Sequence, residues 1–205
     1  MTPIVSAVVL AAGLSSRMEG RHKLLLDVGG EPMVRRVVRA VLGIPPAEVV
    51  VVTGYRAGDV VTALEGLPVR FVHNEAYAEG QPGSVITGIR ALTEFCQAVM
   101  VVLGDQPLLT PAHLRALRDA YTTAEAGKSI FVPFSGGARG NPVMFAAHHI
   151  PEIANGGLNV GCRRLIDSHP DLVAKIELGD EAFIRDCDTP DEYAALQARA
   201  LADRP

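Results

Sequence analysis

Tryptophan is absent and aromatics make up only 5% of the 205 residues, so valine, leucine and alanine carry most of the 48% hydrophobic content. That is the composition of buried parallel strands and the helices covering them. Cysteine is scarce too. Cys96, Cys162 and Cys187 are odd in number and widely spaced, which excludes metal-ligand spacing and points to reduced thiols in a cytosolic protein. The six histidines form no metal-binding pattern either. Positive charge never gathers into a run, and the formal net charge is −4, which argues against nucleic acid as the main partner. The longest apolar segment near the start, Ile4 to Ala12, falls well short of the roughly 20 residues a membrane helix needs. It also lacks the layout of a signal peptide, so no membrane role is expected. No repeat, low-complexity segment or linker interrupts the chain, and its length suits a single domain over residues 1–205.

Strand and helix patterns alternate along this length. Ile4 to Ala12, Val49 to Thr53 and Ala98 to Leu103 are continuous apolar runs, as fully buried strands are. Val69 to Val72, Ser129 to Pro133, Val143 to Phe145 and Leu172 to Ile176 are shorter strand candidates. Between them, Met33 to Leu42 has helical spacing, and helices are expected after Gly54 to about Glu65 and over Ser84 to Phe95. Thr110-Pro111 and Thr189-Pro190 are helix openings, each a capping threonine followed by proline at the first turn. The alternation predicts an α/β fold, a Rossmann-like three-layer sandwich with a mainly parallel sheet and helices on both faces. Ligands in such folds bind beyond the carboxyl ends of the strands.

Two loops stand at such ends. The first follows the opening strand: Leu10-Ala11-Ala12-Gly13-Leu14-Ser15-Ser16-Arg17, then Lys23 six residues on. Glycine allows close approach, hydroxyls and loop amides donate to phosphate oxygens, and two cations neutralise charge, which is the chemistry of a polyphosphate cradle. It is neither a P-loop nor a dinucleotide fingerprint, because the glycines those require are missing. The second loop, Gly104-Asp105-Gln106-Pro107, delivers one carboxylate from a buried strand. It reads either as a hard oxygen ligand for Mg²⁺ or as an ordinary turn cap. Near the end of the chain, Asp186-Cys187-Asp188-Thr189-Pro190-Asp191-Glu192 combines a helix start with acids facing the helix dipole. A cap there can still leave a carboxylate free for metal.

Leu10 to Leu25, Gly104-Asp105-Gln106-Pro107 and Asp186-Cys187-Asp188-Thr189-Pro190 together resemble the signature motifs of the MobA-like nucleotidyltransferases, with one extra residue, Glu19, before Gly20. The resemblance implies a nucleotide-diphospho-sugar transferase-like (GT-A type) fold. It also implies transfer of a nucleoside monophosphate onto a phosphorylated small molecule. Arg17 and Lys23 would hold the β- and γ-phosphates of the nucleoside triphosphate, with Ser15, Ser16 and loop amides completing the cradle. Asp105 and Asp188 would ligate Mg²⁺. Asp186 is expected to point to the other face, or to serve as a second acid, and ranks below Asp188. Asn74 to Ser84 looks like the family stretch whose glycine and serine, here Gly80 and Ser84, meet base or ribose at a helix N-terminus. Arg139-Gly140-Asn141-Pro142-Val143 resembles the acceptor-side Arg-Gly-His-Pro-Val, with asparagine for histidine. Gly157 to Arg163 resembles Gly-Asp-x-Gly-Ala-Arg, with Asn159 where the aspartate usually stands. Both departures lie on the acceptor side.

Within the family, cytidylyl-transferring members read Leu-Ala-Ala-Gly at the opening, as Leu10-Ala11-Ala12-Gly13 does here, and a methyl at position 12 narrows the pocket toward a pyrimidine. The expected reaction is therefore transfer of CMP from CTP to molybdopterin, in the cytoplasm, with a molybdenum enzyme as downstream partner. Guanylyl transfer and another phosphorylated acceptor remain as alternatives. So do two other classes, a nicotinamide- or flavin-dependent oxidoreductase and a non-catalytic accessory protein. The missing three-glycine fingerprint weighs against the first, and the set of metal carboxylates against the second.

Overall fold

Val5–Ala11 (β1) is buried along its whole length, and the period-2 alternation of a strand sends its side chains into two different cores. Ala7, Val9 and Ala11 pack with Val34, Val37, Val38 and Val41 of helix α1 (Met33–Leu42) and with Leu114 and Leu117 of α4 (Pro111–Thr123). Val8 and Leu10 pack instead with Val85, Ile86 and Ile89 of α3 (Gln81–Arg90), Ile153 of α5 (Ile150–Asn155) and Leu165 of α6 (Cys162–Ser168). A sheet with one helical layer on each face follows directly, and a strand in the middle of it has no polar face to show. Burying each valine in these strands contributes about 1.5–3 kcal/mol. The computed structural model describes residues 2–155 and 162–202.

The remaining strands are β2 (Val49–Thr53), β3 (Arg70–His73), β4 (Ala98–Leu103), β5 (Ile130–Ser135), β6 (Ala138–Arg139), β7 (Val143–Ala146) and β8 (Val173–Glu177). Their order is β3-β2-β1-β4-β7-β5-β6, with β8 pairing with β5. Strands β3, β2, β1 and β4 run parallel to their neighbours, as does β8 to β5. Strand β7 lies antiparallel between β4 and β5. The fold is a Rossmann-like α/β sandwich with a mostly parallel, mixed sheet. The reversal comes from a tight hairpin: Ser135 pairs with Ala138 across Gly136-Gly137, whose φ angles of 57° and 81° only glycine adopts cheaply. Helix α3 presses unusually close to the sheet, since a Cβ on Gly88 would lie 2.3 Å from a methyl of Val8.

The continuous apolar runs are strands as expected, β2 and β4 residue for residue. The helix expected over Ser84 to Phe95 instead runs Gln81–Arg90. It starts early because Gly80, at φ 119°, turns the chain into a helix with proline in its first turn. It stops early because the carboxylate of Glu48 accepts from the amides of Thr93 and Glu94 and holds them in a loop, leaving Phe95 75% exposed. Two short helices, α5 and α6, and strand β6 were not anticipated. Thr110 caps α4 as expected: its hydroxyl accepts from the His113 amide, and the His113 ring accepts from the Thr110 amide. The three cysteines are free. Among the described residues no helix is long and apolar enough to cross a membrane.

Candidate active site

Strands β1 and β4 are parallel neighbours with Leu10 beside Leu103, so their carboxyl ends open side by side. The Gly104 amide donates to the Leu10 carbonyl at 3.0 Å, and a Cβ on Gly104 would sit 2.8 Å from that same oxygen. Only glycine lets the two loops approach this closely, and Asp105 is the next residue. The Asp105 carbonyl in turn accepts from the Cys187 amide at 3.0 Å, which draws the 186–188 segment across the strand ends. Cys187 is buried beside Met18, Met33, Tyr193 and Leu196. The residues on either side of it, Asp186 and Asp188, share the opposite side, as residues two apart in extended chain do.

Oxygens of Asp105, Asp186 and Asp188 lie within 4.8 Å of one another. Of the two expectations for Asp186, the one that turns it to the other face is therefore corrected: it joins the other two, as a second acid would. Helix α7 (Pro190–Ala202) starts with a reciprocal cap. Glu192 accepts from the amides of Asp188 and Thr189, at 2.8 and 2.9 Å, and Thr189 Oγ1 accepts from the Glu192 amide. Thr189 and Glu192 thus do the capping, and the Asp188 carboxylate stays available to the cleft.

The 12–22 loop folds on its own polar groups. Ser15, at φ 55°, accepts through its carbonyl from Met18 and through its hydroxyl from the Lys23 amide. The extra residue Glu19 is taken up in the left-handed region beside Gly20, while Met18 is fully buried and anchors the loop. Lys23 is delivered into the acidic cluster. Its ammonium donates to Asp105 Oδ2 and, at 2.5 Å, to Asp188 Oδ1, while Arg17 pairs with Asp188 Oδ2. The Lys23 side chain is 11% exposed and that of Arg17 67%. Burial works against the Lys23 charge, but the two carboxylates outweigh it and raise its pKa. Burial works against the Asp188 charge as well, and Lys23 with Arg17 overcomes it and lowers the pKa. For Asp186, burial followed by the charges of Asp188 and Asp105 outweighs the charge of Lys23 and raises the pKa. Asp105 Oδ1 is buried with no hydrogen-bond partner among the described residues. An orphaned carboxylate oxygen among three convergent carboxylates fits a hard divalent cation.

Leu10, Ala12, Gly13, Arg17, Lys23, Gly80, Ser84, Asp105 and Asp188 all line one cleft of about 380 Å³. Among the described residues a Cβ on Gly13 would meet nothing within 4 Å, so that space is open for a ligand. Ala11, Ser15, Ser16 and Gly104 do not line it: Ala11 is buried toward α1, Ser15 holds the loop, and Gly104 holds the strand ends together. Ser84 lies inside α3 and accepts a hydrogen bond from Asn74 at 3.0 Å, so Gly80 rather than Ser84 stands at the helix start. A second cleft of about 690 Å³ shares the Gln81 and Leu103 walls. Arg139 and Asn141 line it together with Cys162, Arg163 and Arg164. The Asn141 amide donates to the Phe183 carbonyl at 2.8 Å. Asp167 pairs with Arg139 at 3.3 Å and with Arg163 at 4.0 Å. Arg164 and Asp167 escaped sequence reading, although the adjacent Arg163-Arg164 pair was the available signal. Asn159 lies outside the described residues.

Residues 7–173 match the MobA-like NTP transferase domain. The chain belongs to that family. It is 36% identical over 123 residues to the bifunctional protein GlmU of Corynebacterium aurimucosum, a match over 57% of this chain that spans 25% of that protein. A nucleotidyl transferase from Methanothermobacter thermautotrophicus superposes with a TM-score of 0.81 at 26% identity, over 98% of this chain and 99% of that one. A Mycobacterium tuberculosis protein solved in complex with manganese shares the fold, with a TM-score of 0.77 at 22% identity over 95% and 98% of the two chains. For a MobA-like transferase, the two joined clefts with a charged cluster beside the first are the arrangement to account for.

Proposed function

We propose that this nucleotidyltransferase moves CMP from CTP onto a phosphorylated acceptor, molybdopterin, with release of pyrophosphate. One observation carries the reading: an acidic cluster with its lysine and arginine lies in one cleft, and an arginine-rimmed cleft opens from the same Gln81 and Leu103 walls. Two anions held in such adjoining spaces are presented to each other, and phosphoryl transfer needs positioning and charge dispersal more than covalent chemistry.

The triphosphate takes the open space over Gly13, with Arg17 and Lys23 as its cationic partners. Ala12 lines the cleft, and the methyl in its wall supports a pyrimidine over the larger purine. Asp105 and Asp188, with Asp186 beside them, would hold Mg²⁺, and the manganese complex of the mycobacterial structure supports a divalent cation here. When bound, such an ion disperses the negative charge that builds on the transferring phosphates. Arg139, Arg163 and Arg164 line the acceptor space and orient the attacking phosphomonoester toward the α-phosphorus, with Asn141 as a neutral hydrogen-bonding group. The whole reaction fits one domain acting in the cytoplasm, with a molybdenum enzyme taking up the product.

Pyrophosphate release, measured with each NTP and Mg²⁺ in the presence and absence of molybdopterin, tests the proposal. Release with CTP that requires the pterin is expected. Release with another NTP or another acceptor would reassign the base or the second substrate. A phosphorylated sugar or sugar alcohol is the second acceptor class, and the three arginines suit it equally, since guanidinium groups hold any phosphate.

A further inference from the structure

We propose that Lys23 is a built-in placeholder cation, whose ammonium occupies the acidic cluster in the nucleotide-free protein and yields it only when a triphosphate arrives. This rests on the metal-and-nucleotide reading above and adds an order to it: the divalent ion does not load alone.

The ammonium donates to Asp105 and to Asp188, which come from chain positions 82 and 165 residues away, and so stands between the carboxylates that would coordinate a metal. Arg17 takes the other Asp188 oxygen, leaving neither oxygen of that carboxylate free. A divalent ion entering this protein must therefore displace an ammonium from both ligands, or sit beside it and be repelled. The displacement is local. The Lys23 amide is fixed to the Ser15 hydroxyl, and the four-carbon stem lets the charged end swing while the backbone stays in place. Gly13 and Lys23 line the same cleft, and among the described residues nothing lies within 4 Å of where a Gly13 Cβ would be. A triphosphate in that space offers Lys23 and Arg17 new anionic partners, frees the carboxylates and brings its own oxygens to the metal. Each ligand then raises the affinity of the other by the same factor.

Mn²⁺ binding, followed by electron paramagnetic resonance and calorimetry with and without CTP, tests this on the wild type, Lys23→Met and Arg17→Met. Lys23→Met is expected to bind Mn²⁺ alone about tenfold more tightly than wild type, with the gap closing once CTP is present. Arg17→Met removes the same unit charge from Asp188 but touches only one carboxylate, and should gain clearly less. Equal gains in both variants would reduce the effect to general electrostatics and overturn the proposal, as would no gain in Lys23→Met. If wild type binds Mn²⁺ neither alone nor with CTP, the metal reading itself fails and takes the placeholder with it. Should Lys23→Met not fold, Lys23→Gln is read in the same way. The wild type adds a further check through its thermal midpoint. Mn²⁺ alone should leave it unmoved, and Mn²⁺ with CTP should raise it beyond the effect of CTP alone. A full rise with Mn²⁺ alone would refute the placeholder.

Discussion

The two clefts meet at Gln81 and Leu103 yet are built by opposite means. In the first, the charged groups hang on backbone hydrogen bonds between distant segments: Gly104 to Leu10, and Cys187 to Asp105. Its lysine is buried and doubly paired. In the second, the charges are arginines of α6 and the β6 edge, paired at longer range with Asp167, which is 61% exposed. A fixed constellation suits a reaction whose transition state is always a phosphoryl group. Exposed arginines around a larger space leave room for anions of different shape. The second cleft is also where the chain departs from the family pattern, at Asn141.

Breaking the first cleft should cost the most. Asp105→Ala is expected to lower turnover by more than about 100-fold, the upper loss seen for mere outer partners of a metal, and to do so with every acceptor while circular dichroism stays unchanged. Retained activity would mean that the acidic cluster is not where transfer occurs. The second cleft should respond more mildly and with a different signature. Arg139→Ala is expected to raise the acceptor KM about tenfold, the loss of one charge-assisted hydrogen bond, and to leave the CTP KM unchanged. A matching rise for CTP would erase the distinction between the clefts.

The same contrast governed what could be read from the sequence. Val49 to Thr53 and Ala98 to Leu103 are legible as strands because continuous burial leaves a continuous apolar run. Gly104-Asp105 and Asp188-Thr189-Pro190 are legible because short motifs carry both the turn and the charge. What was missed depends on distant parts of the chain. Nothing local says that β7 runs antiparallel between β4 and β5, or that Glu48 halts α3 by binding the amides of Thr93 and Glu94. Residues 150–155 carry Pro151 within one short helical turn and a half, too brief a stretch for periodicity to register. Lys23 was expected on phosphates, and its engagement with two carboxylates appears only once three segments are brought together.

Two glycines sharpen the comparison within the first cleft. Gly104→Ala forces a Cβ to 2.8 Å from the Leu10 carbonyl, an overpacking cost of about 1–3 kcal/mol. Its thermal midpoint should fall by roughly 2–4 °C for each kcal/mol in a chain of this size. Gly13→Ala meets no protein atom, so the midpoint should hold while the CTP KM rises several-fold. If Gly13→Ala destabilises and leaves the KM unaffected, the space above it is not the triphosphate site.

The smallest effects are in pH dependence, and they separate the clefts most cleanly. Asp188 has a folded pKa below its ordinary 3.8, so its stabilisation is present above 3.8 and is lost as pH falls through the folded value. Lys23, raised above 10.5, contributes below that pH and loses its contribution as pH rises through the folded value. Asp186 has the opposite sign to Asp188. Its raised pKa means that the folded state is disfavoured progressively as pH climbs from 3.8 through the folded value, a cost still present at neutral pH. Asp188→Asn should therefore lower the thermal midpoint at pH 7, with the difference from wild type closing below pH 3.8. Asp186→Asn should raise the midpoint at pH 7 and leave it unchanged in acid. Asp167→Asn, in the second cleft, removes only exposed pairs worth about 0–1 kcal/mol and should leave the shape of the profile as it is. Midpoints measured from pH 3 to 8 decide the matter. If Asp186→Asn destabilises at neutral pH, its carboxylate is held by a partner of its own, and it is not the acid left out of the Lys23 and Arg17 pairing.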